Sequence, residues 1–366
     1  MLHCNIMPRM AIRAQERYDA ATLPYGLWIE AMNQSSPSGE KPTLVIAFEA
    51  EPWRRDLIAE TVGDAGAVVF LADMDAAAGR DALARATAVF AQRMDQLPDD
   101  VGHLLGEHCR LLQFHSAGVD YLPLQHLPTG LPIAGNGGAF AEPMAEHGVA
   151  MALAAAKRLF VEHDKLKSGE FNQFVRNKML AGGVAGILGF GGIGMACGRL
   201  FRGLGMKVHA IKRSGETREP VDWIGTPDRL DELLAASDVL VLALPLTQTS
   251  EKLLNAEKLA LMKPDAILVN LARGEIIDEA ALYAHLQANP QFTACLDAWW
   301  VEPVRHGRFE MGHPFLGLPN VIGSPHNSAS VRGWRDVSLR RGAANCRRVL
   351  EGGEPWHLVR EEDRAA

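Results

Sequence analysis

The sequence has no surplus of positive charge, no cysteine framework and no long apolar run. Its 366 residues hold 37 Lys and Arg against 44 Asp and Glu, a net charge of −7. A nucleic-acid binder needs a basic face, and residues 51–130, with twelve acids and six bases, are far from offering one. The five cysteines (Cys4, Cys109, Cys197, Cys295 and Cys346) are odd in number and form no CxxC pair. That excludes a disulfide scaffold or a zinc ribbon and fits a reducing compartment. No stretch reaches the roughly 18 apolar residues of a membrane span. The N-terminal MLHCNIMPRMAIRAQERYD lacks the apolar centre of a signal peptide. The expectation is a cytoplasmic protein with no nucleic-acid partner, no membrane and no metal.

A hydrophobic share of 48% and a charged share of 22% are ordinary for a packed chain and exclude disorder over most of it. The length suits two domains. Residues 1–41 read as an extension: Ile12 to Met32 has helical character, and the stretch from Asn33 to Pro42 has linker composition. From Thr43 onward, short apolar runs alternate with helical segments. LVIAF, GAVVFLA, ATAVFAQ and CRLLQFH precede an alanine-rich helix predicted over 143–160. A second series follows: VAGILGF, MKVHAIK, DVLVLALP, AILVNLA and TACLDAWW, with helical stretches between them, one of them SEKLLNAEKLALM. Strands alternating with helices predict βα units and mainly parallel sheets. The last helix is expected near 329–350.

Gly189-Phe-Gly191-Gly192-Ile193-Gly194 lies between the strand VAGIL and a helix. In that context the first glycine makes the tight turn, the second lets the backbone approach a pyrophosphate, and the third permits close helix–strand packing. The helix N-terminus offers free N–H groups and the positive end of its dipole to the phosphates. About 20 residues on, a NAD site carries an acid for the ribose 2′-hydroxyl. Here no acid stands there. Lys212, Arg213 and Ser214 do, two cations and a hydroxyl suited to a 2′-phosphate. The other reading of that cluster is a solvated loop. The expectation is NADP(H) in preference to NAD(H).

Three later segments each follow a predicted strand: Asn270-Leu-Ala-Arg273-Gly-Glu-Ile-Ile-Asp278, Leu296-Asp297-Ala-Trp-Trp-Val-Glu302-Pro303 and Ser324-Pro325-His326. Together with Ser116-Ala117-Gly118-Val119-Asp120, the Asn136…Glu146 segment and LPLTQTSEKLLNAEKLALMKPDAILVNLARGEIIDEAAL, they resemble the D-isomer-specific 2-hydroxyacid dehydrogenase family over roughly residues 44–350.

The resemblance implies an α/β enzyme with two Rossmann-like domains, a nucleotide domain (146–326) inserted into a flavodoxin-like substrate domain (42–145 and 327–366). It implies reduction of a 2-keto acid, glyoxylate or hydroxypyruvate being the first choice. His326 would give the proton, since imidazole titrates near neutrality. Glu302 would orient its other nitrogen, and Arg273 would bind the substrate and polarise its keto oxygen. Asp297 would stand near the nicotinamide amide, and Ala117, Gly118 and Val119 would turn backbone N–H groups toward the substrate carboxylate. Pro245 joins Gly189, Gly191, Gly192, Ile193, Gly194 and the Lys212–Ser214 cluster in the cofactor set. A homodimer is expected, with the alanine-rich helix as its element. A phosphite-type dehydrogenase shares the Arg–Glu–His set. So can a dinucleotide-sensing regulator, like the corepressors with this fold. Both alternatives stay open. This chain departs from the family pattern in the long segment between Pro303 and Pro319 and in Asn327 and Ser328 after His326. The C-terminal arginines, among them Arg335, Arg341 and Arg348, read as the wet face of a helix.

Overall fold

The computed structural model describes residues 41–106 and 108–364. The extension expected over 1–41, with its helix near Ile12–Met32, lies outside the described residues but for its last position.

Two sheets organise these residues. The first holds β1 (Thr43–Ile46), β2 (Ala67–Phe70), β3 (Ala88–Ala91), β4 (Leu111–Phe114) and β5 (Ile133–Ala134), in the order β2-β1-β3-β4-β5. The second holds β6 (Val184–Leu188), β7 (Lys207–Ile211), β8 (Trp223–Gly225), β9 (Val239–Leu242), β10 (Ile267–Asn270), β11 (Thr293–Leu296) and β12 (Val321–Gly323), in the order β12-β11-β10-β9-β6-β7-β8. Every pairing is parallel. Parallel strands are covered on both faces, so they read as continuous aliphatic runs rather than alternating ones. That is why AVFA, VLVL and ILVN were legible as strands, and all of their residues are buried.

β5, β8 and β12 had no such signal. Each has only two or three residues and closes a sheet where a loop grazes it. Two predicted helices are shorter than read. The alanine-rich helix runs Ala141–Ala156 and breaks at Arg158, which takes a left-handed φ of 54°, before a second helix Leu159–Lys167. Of SEKLLNAEKLALM, only Ala256–Ala260 is helical. Lys252 has positive φ and Leu254 bridges Ile277, so the segment is pinned as a loop.

The helix Ala141–Ala156 packs its small residues against β10, β11 and the helix Gly192–Gly203. Its apolar face is spent inside the subunit. After β12 the chain returns to the first sheet, where Leu339, Ala343, Cys346 and Val349 of the helix Trp334–Leu350 join Leu44, Ile46 and Phe90 in one core. A buried polar link fixes that return: Asn345 Nδ2 donates to Gln113 Oε1 at 2.7 Å. Losing Asn345 would strand a buried acceptor, a penalty of about 1–3 kcal/mol. The tail then pairs with the edge of the first sheet, Val359 N donating to Ile133 O at 2.8 Å.

Candidate active site

The glycine turn has the geometry its spacing predicts. Gly189 sits at φ 96°, and a Cβ there would lie 2.6 Å from the Ala243 carbonyl oxygen. A Cβ on Gly194 would lie 2.2 Å from the oxygen of Gly189, so the helix touches the turn as only glycine permits. Gly191 caps the helix Gly192–Gly203 with no side chain covering its end, and the space beside its Cα is open. The first-turn N–H groups of Gly192 and Ile193 therefore fit the phosphates of a dinucleotide.

At the end of β7, the Lys212 N–H donates to Gly225 O at 3.0 Å, and Ser214 Oγ donates to Glu216 O at 3.3 Å. Arg213 is exposed, with Nη2 3.8 Å from Asp363 Oδ2 in the C-terminal tail. Sequence reasoning missed that neighbour, because 150 positions of chain separate the two in sequence. Pro245 follows β9 on the same sheet, and its carbonyl accepts from Ser250 Oγ at 2.8 Å.

The structure brings His326 and Glu302 together. Nδ1 of His326 lies 2.7 Å from Glu302 Oε2 and 2.9 Å from Oε1, and the Trp299 N–H donates to Oε1 at 2.7 Å. Nε2 of His326 has no hydrogen-bond partner among the described residues, and the ring is one-third exposed. Burial opposes charge on Glu302. The bond to His326 and its charge, the Trp299 N–H and Arg273 outweigh it and hold the carboxyl below its ordinary range.

His326 itself has φ 50°, a conformation that needs support from its surroundings. Asp297 supplies it. This fully buried carboxylate accepts from Ser324 Oγ at 2.6 Å, from Asn327 N at 3.2 Å and from Ser328 N at 3.4 Å. Ser324 spends its proton there, so His147 Nε2, 2.9 Å from its Oγ, is the donor in that contact. The oxygens of Asp297 clamp the loop that presents His326.

Arg273 follows β10 and reaches across to the first lobe. Nε and Nη2 donate to the two oxygens of Asp120 at 3.1 and 3.0 Å, and Nη1 donates to the Ala272 carbonyl at 2.8 Å. Burial works against its charge, but the charge and hydrogen bonds of Asp120 raise its pKa overall. A Cβ on Gly118 would lie 2.1 Å from Nη2, so the guanidinium rests directly on the backbone of the Ala117-Gly118-Val119 turn. The structure thus joins residues 117–120 to Arg273. It also adds Arg305, whose Nη1 lies 2.5 Å from Glu275 Oε1 and 3.9 Å from Asp120 Oδ2. Asp120 stood in a quoted motif without a role, two positions after Gly118. Arg305 lies in the segment that departs from the family pattern.

No helix among the described residues is long and apolar enough to cross a membrane. Four of the cysteines, Cys109, Cys197, Cys295 and Cys346, are buried as free thiols. Among the described residues no cluster of His, Cys, Asp or Glu could hold a metal ion.

Residues 149–328 match the family described as D-isomer specific 2-hydroxyacid dehydrogenase, NAD binding domain. A hydroxypyruvate reductase of Thermotoga maritima is 32% identical over 229 residues, which are 62% of this chain and 72% of that protein. A glyoxylate reductase of Thermococcus onnurineus is 29% identical over 333 residues, 86% of this chain and 90% of that protein. Among solved structures, a glycerate dehydrogenase related protein from Thermoplasma acidophilum superposes with a TM-score of 0.59 at 28% identity, over 83% of this chain and 98% of that one. With parallel sheets on either side of Arg273 and a nucleotide turn in the second, the chain belongs to the D-isomer specific 2-hydroxyacid dehydrogenases, NAD(P)-dependent oxidoreductases that act on 2-hydroxy acids.

Proposed function

We propose that this enzyme reduces a small 2-keto acid, glyoxylate or hydroxypyruvate, with NADP(H) in preference to NAD(H). The observation that carries this reading is the His326–Glu302 pair at 2.7 Å, presented by the second lobe, which also sends Arg273 onto Gly118 of the first. Glu302 orients Nδ1, which leaves Nε2 to hand a proton to the keto oxygen. Arg273 has Nε and Nη2 on Asp120 and Nη1 on the Ala272 carbonyl, which leaves one N–H on each terminal nitrogen for the substrate carboxylate and carbonyl. The N–H groups of Ala117, Gly118 and Val119 would complete the carboxylate cradle. NADPH, when bound, supplies the hydride. Gly189, Gly191, Gly192, Ile193, Gly194 and Pro245 would hold it, and Lys212, Arg213 and Ser214 would take its 2′-phosphate.

The reductive direction follows from the role of cellular NADPH as a reductant. The names of the relatives support the substrate choice. The substrate lobe is assigned to 42–145 and 327–366 and the nucleotide lobe to 146–326, with closure between them excluding water. The protein is read as cytoplasmic and as a homodimer. Support for the dimer comes from the apolar surface beyond the alanine-rich helix: Phe171, Phe174 and Met179 are 75%, 88% and 74% exposed. Exposed apolar groups so close in sequence mark an interaction surface, and a second copy of this chain is the proposed occupant.

The test is steady-state oxidation of NADPH and NADH with glyoxylate, hydroxypyruvate and other 2-keto acids. Turnover with a higher kcat/KM for NADPH is expected. No turnover with any 2-keto acid would defeat the reading and favour a dinucleotide-sensing regulator. For the acid role, His326→Ala is expected to lower kcat by about 100- to 10,000-fold with cofactor affinity unchanged.

A further inference from the structure

The helix Trp334–Leu350 belongs to the first lobe, and one arginine on its exposed face is hydrogen-bonded back to the backbone beside the glycine turn. Arg341 Nε donates to the Gly137 carbonyl at 3.1 Å, and its Nη2 lies 3.4 Å from His357 Nε2. No carboxylate pairs with it among the described residues, whereas its helix neighbour Arg347 pairs with Glu351. His357 is held in place at some expense. It is a non-glycine residue at φ 59°, and its ring occupies the place of a Cβ on Gly137, 2.6 Å from that position. Burial and then the charge of Arg341 lower its pKa, so the ring faces the guanidinium as a neutral acceptor.

What these two groups border is the glycine turn. A Cβ on Gly192 would lie 2.5 Å from the Cα of Gly138, so the two lobes touch backbone to backbone there. A Cβ on Gly138 would lie 3.1 Å from Arg341 Nη2 and 3.6 Å from the Cα of Gly192. The guanidinium and the first residue of the phosphate-facing helix thus flank a space that one methyl group would fill. A cation with no carboxylate partner, braced by a backbone carbonyl and a neutral imidazole, is oriented for an anion it does not yet hold.

We infer that Arg341 is a ligand of the dinucleotide's pyrophosphate, supplied by the C-terminal helix of the first lobe beside the contact of Gly138 with Gly192. The inference rests on the cofactor reading above and adds to it a first-lobe contact that closes the cleft over the phosphates. His357 acts as a positioning residue, holding the guanidinium by its far edge. Because pyrophosphate is common to both dinucleotides, Arg341 governs affinity and not the choice between them.

The experiment is equilibrium titration of the full chain with NADPH and with NADH, followed by nucleotide fluorescence, and with 2′-AMP by displacement. Arg341→Ala is expected to weaken NADPH and NADH by the same factor, about tenfold or more. Arg341→Lys should restore part of the loss, and 2′-AMP, which lacks the pyrophosphate, should bind as it does to wild type. Arg213→Ala serves as the contrast and should weaken NADPH and 2′-AMP alone. Wild-type affinity for both dinucleotides in Arg341→Ala would overturn the inference, and so would equal weakening of 2′-AMP. If the alanine variant fails to fold, Arg341→Gln, which removes the charge, and Arg341→Lys, which keeps it, carry the same comparison. A wild-type protein that binds neither dinucleotide would defeat the cofactor reading itself, a result separate from the failure of Arg341 alone.

Discussion

Arg273 and Asp120 form a two-point ion pair between the lobes, at 3.1 and 3.0 Å, with both side chains mostly buried. A guanidinium gripped along one edge presents a fixed opposite edge, and bidentate geometry is what distinguishes arginine from a flexible cation. Asp120 therefore sets where Arg273 meets a substrate.

The first prediction concerns that pair. Asp120→Asn keeps the shape and removes the charge. It is expected to lower kcat/KM for the keto acid by about 10- to 100-fold, mainly through KM, and to lower Tm, since breaking a buried pair costs about 3–5 kcal/mol. Dinucleotide affinity should not change. Steady-state kinetics and thermal melts decide it, and an unaltered KM would mean that Arg273 holds its place without Asp120.

Stability should fall in acid through two groups with the same sign. Burial, and secondly the charge of Arg335, push the pKa of His115 from 6.5 down to about 4. The folded protein therefore resists the proton that the unfolded chain takes up. Its contribution is complete above pH 6.5 and is lost as pH falls toward 4, on the order of 2–3 kcal/mol in all. Glu302 is depressed below 4.5, so its contribution is complete above 4.5 and is lost as pH falls through its folded value. Tm measured from pH 7 to pH 3 should decline in two stages. His115→Asn should flatten the upper stage and Glu302→Gln the lower; identical slopes in all three proteins would contradict this.

For cofactor choice, Lys212→Ala combined with Arg213→Ala should lower kcat/KM for NADPH by about 10- to 100-fold and leave NADH nearly unchanged, as expected for two phosphate contacts. Asp363 competes for Arg213 across 3.8 Å. A partly exposed pair of that kind is weak, so Asp363→Asn should improve NADPH affinity by no more than about fivefold. An equal loss for both dinucleotides in the double variant would place these cations elsewhere than on the 2′-phosphate.

Association is checked by light scattering after gel filtration. Wild type should elute as a dimer, and Phe171→Ser with Phe174→Ser should shift it toward monomer, because two large apolar side chains would no longer be withdrawn from water. A monomeric wild type would remove the support that these residues give.

Much of the fold is legible in the amino-acid sequence. The buried strands carry their signal in consecutive residues, as in VLVL and ILVN, and a parallel sheet is the one setting that demands such runs. The glycine turn was equally local: Gly189 and Gly194 are five residues apart, and the constraint they obey lies within one βα unit. Arg273, Glu302 and His326 each follow a strand end, and their proposed roles came from the ordered motifs of the family resemblance. What was not legible depends on approach between distant segments. Asn345 with Gln113, Arg213 with Asp363 and Arg341 with Gly137 leave no trace in spacing, since their contact is made by the return of the last helix to the first sheet. The helix limits at Ala156 and Ala260 were also misjudged, because Arg158 and Lys252 take left-handed backbone under tertiary constraint while their neighbours retain good helix propensity.

By itself, then, the sequence determined the order of strands and helices and the nucleotide turn, since these rest on short-range sterics and on burial period. Only the tertiary structure decided the partners of two carboxylates. Asp297 went to the backbone of the His326 loop and Asp120 to Arg273, because desolvated charges pair with whatever partner packing brings within about 3 Å.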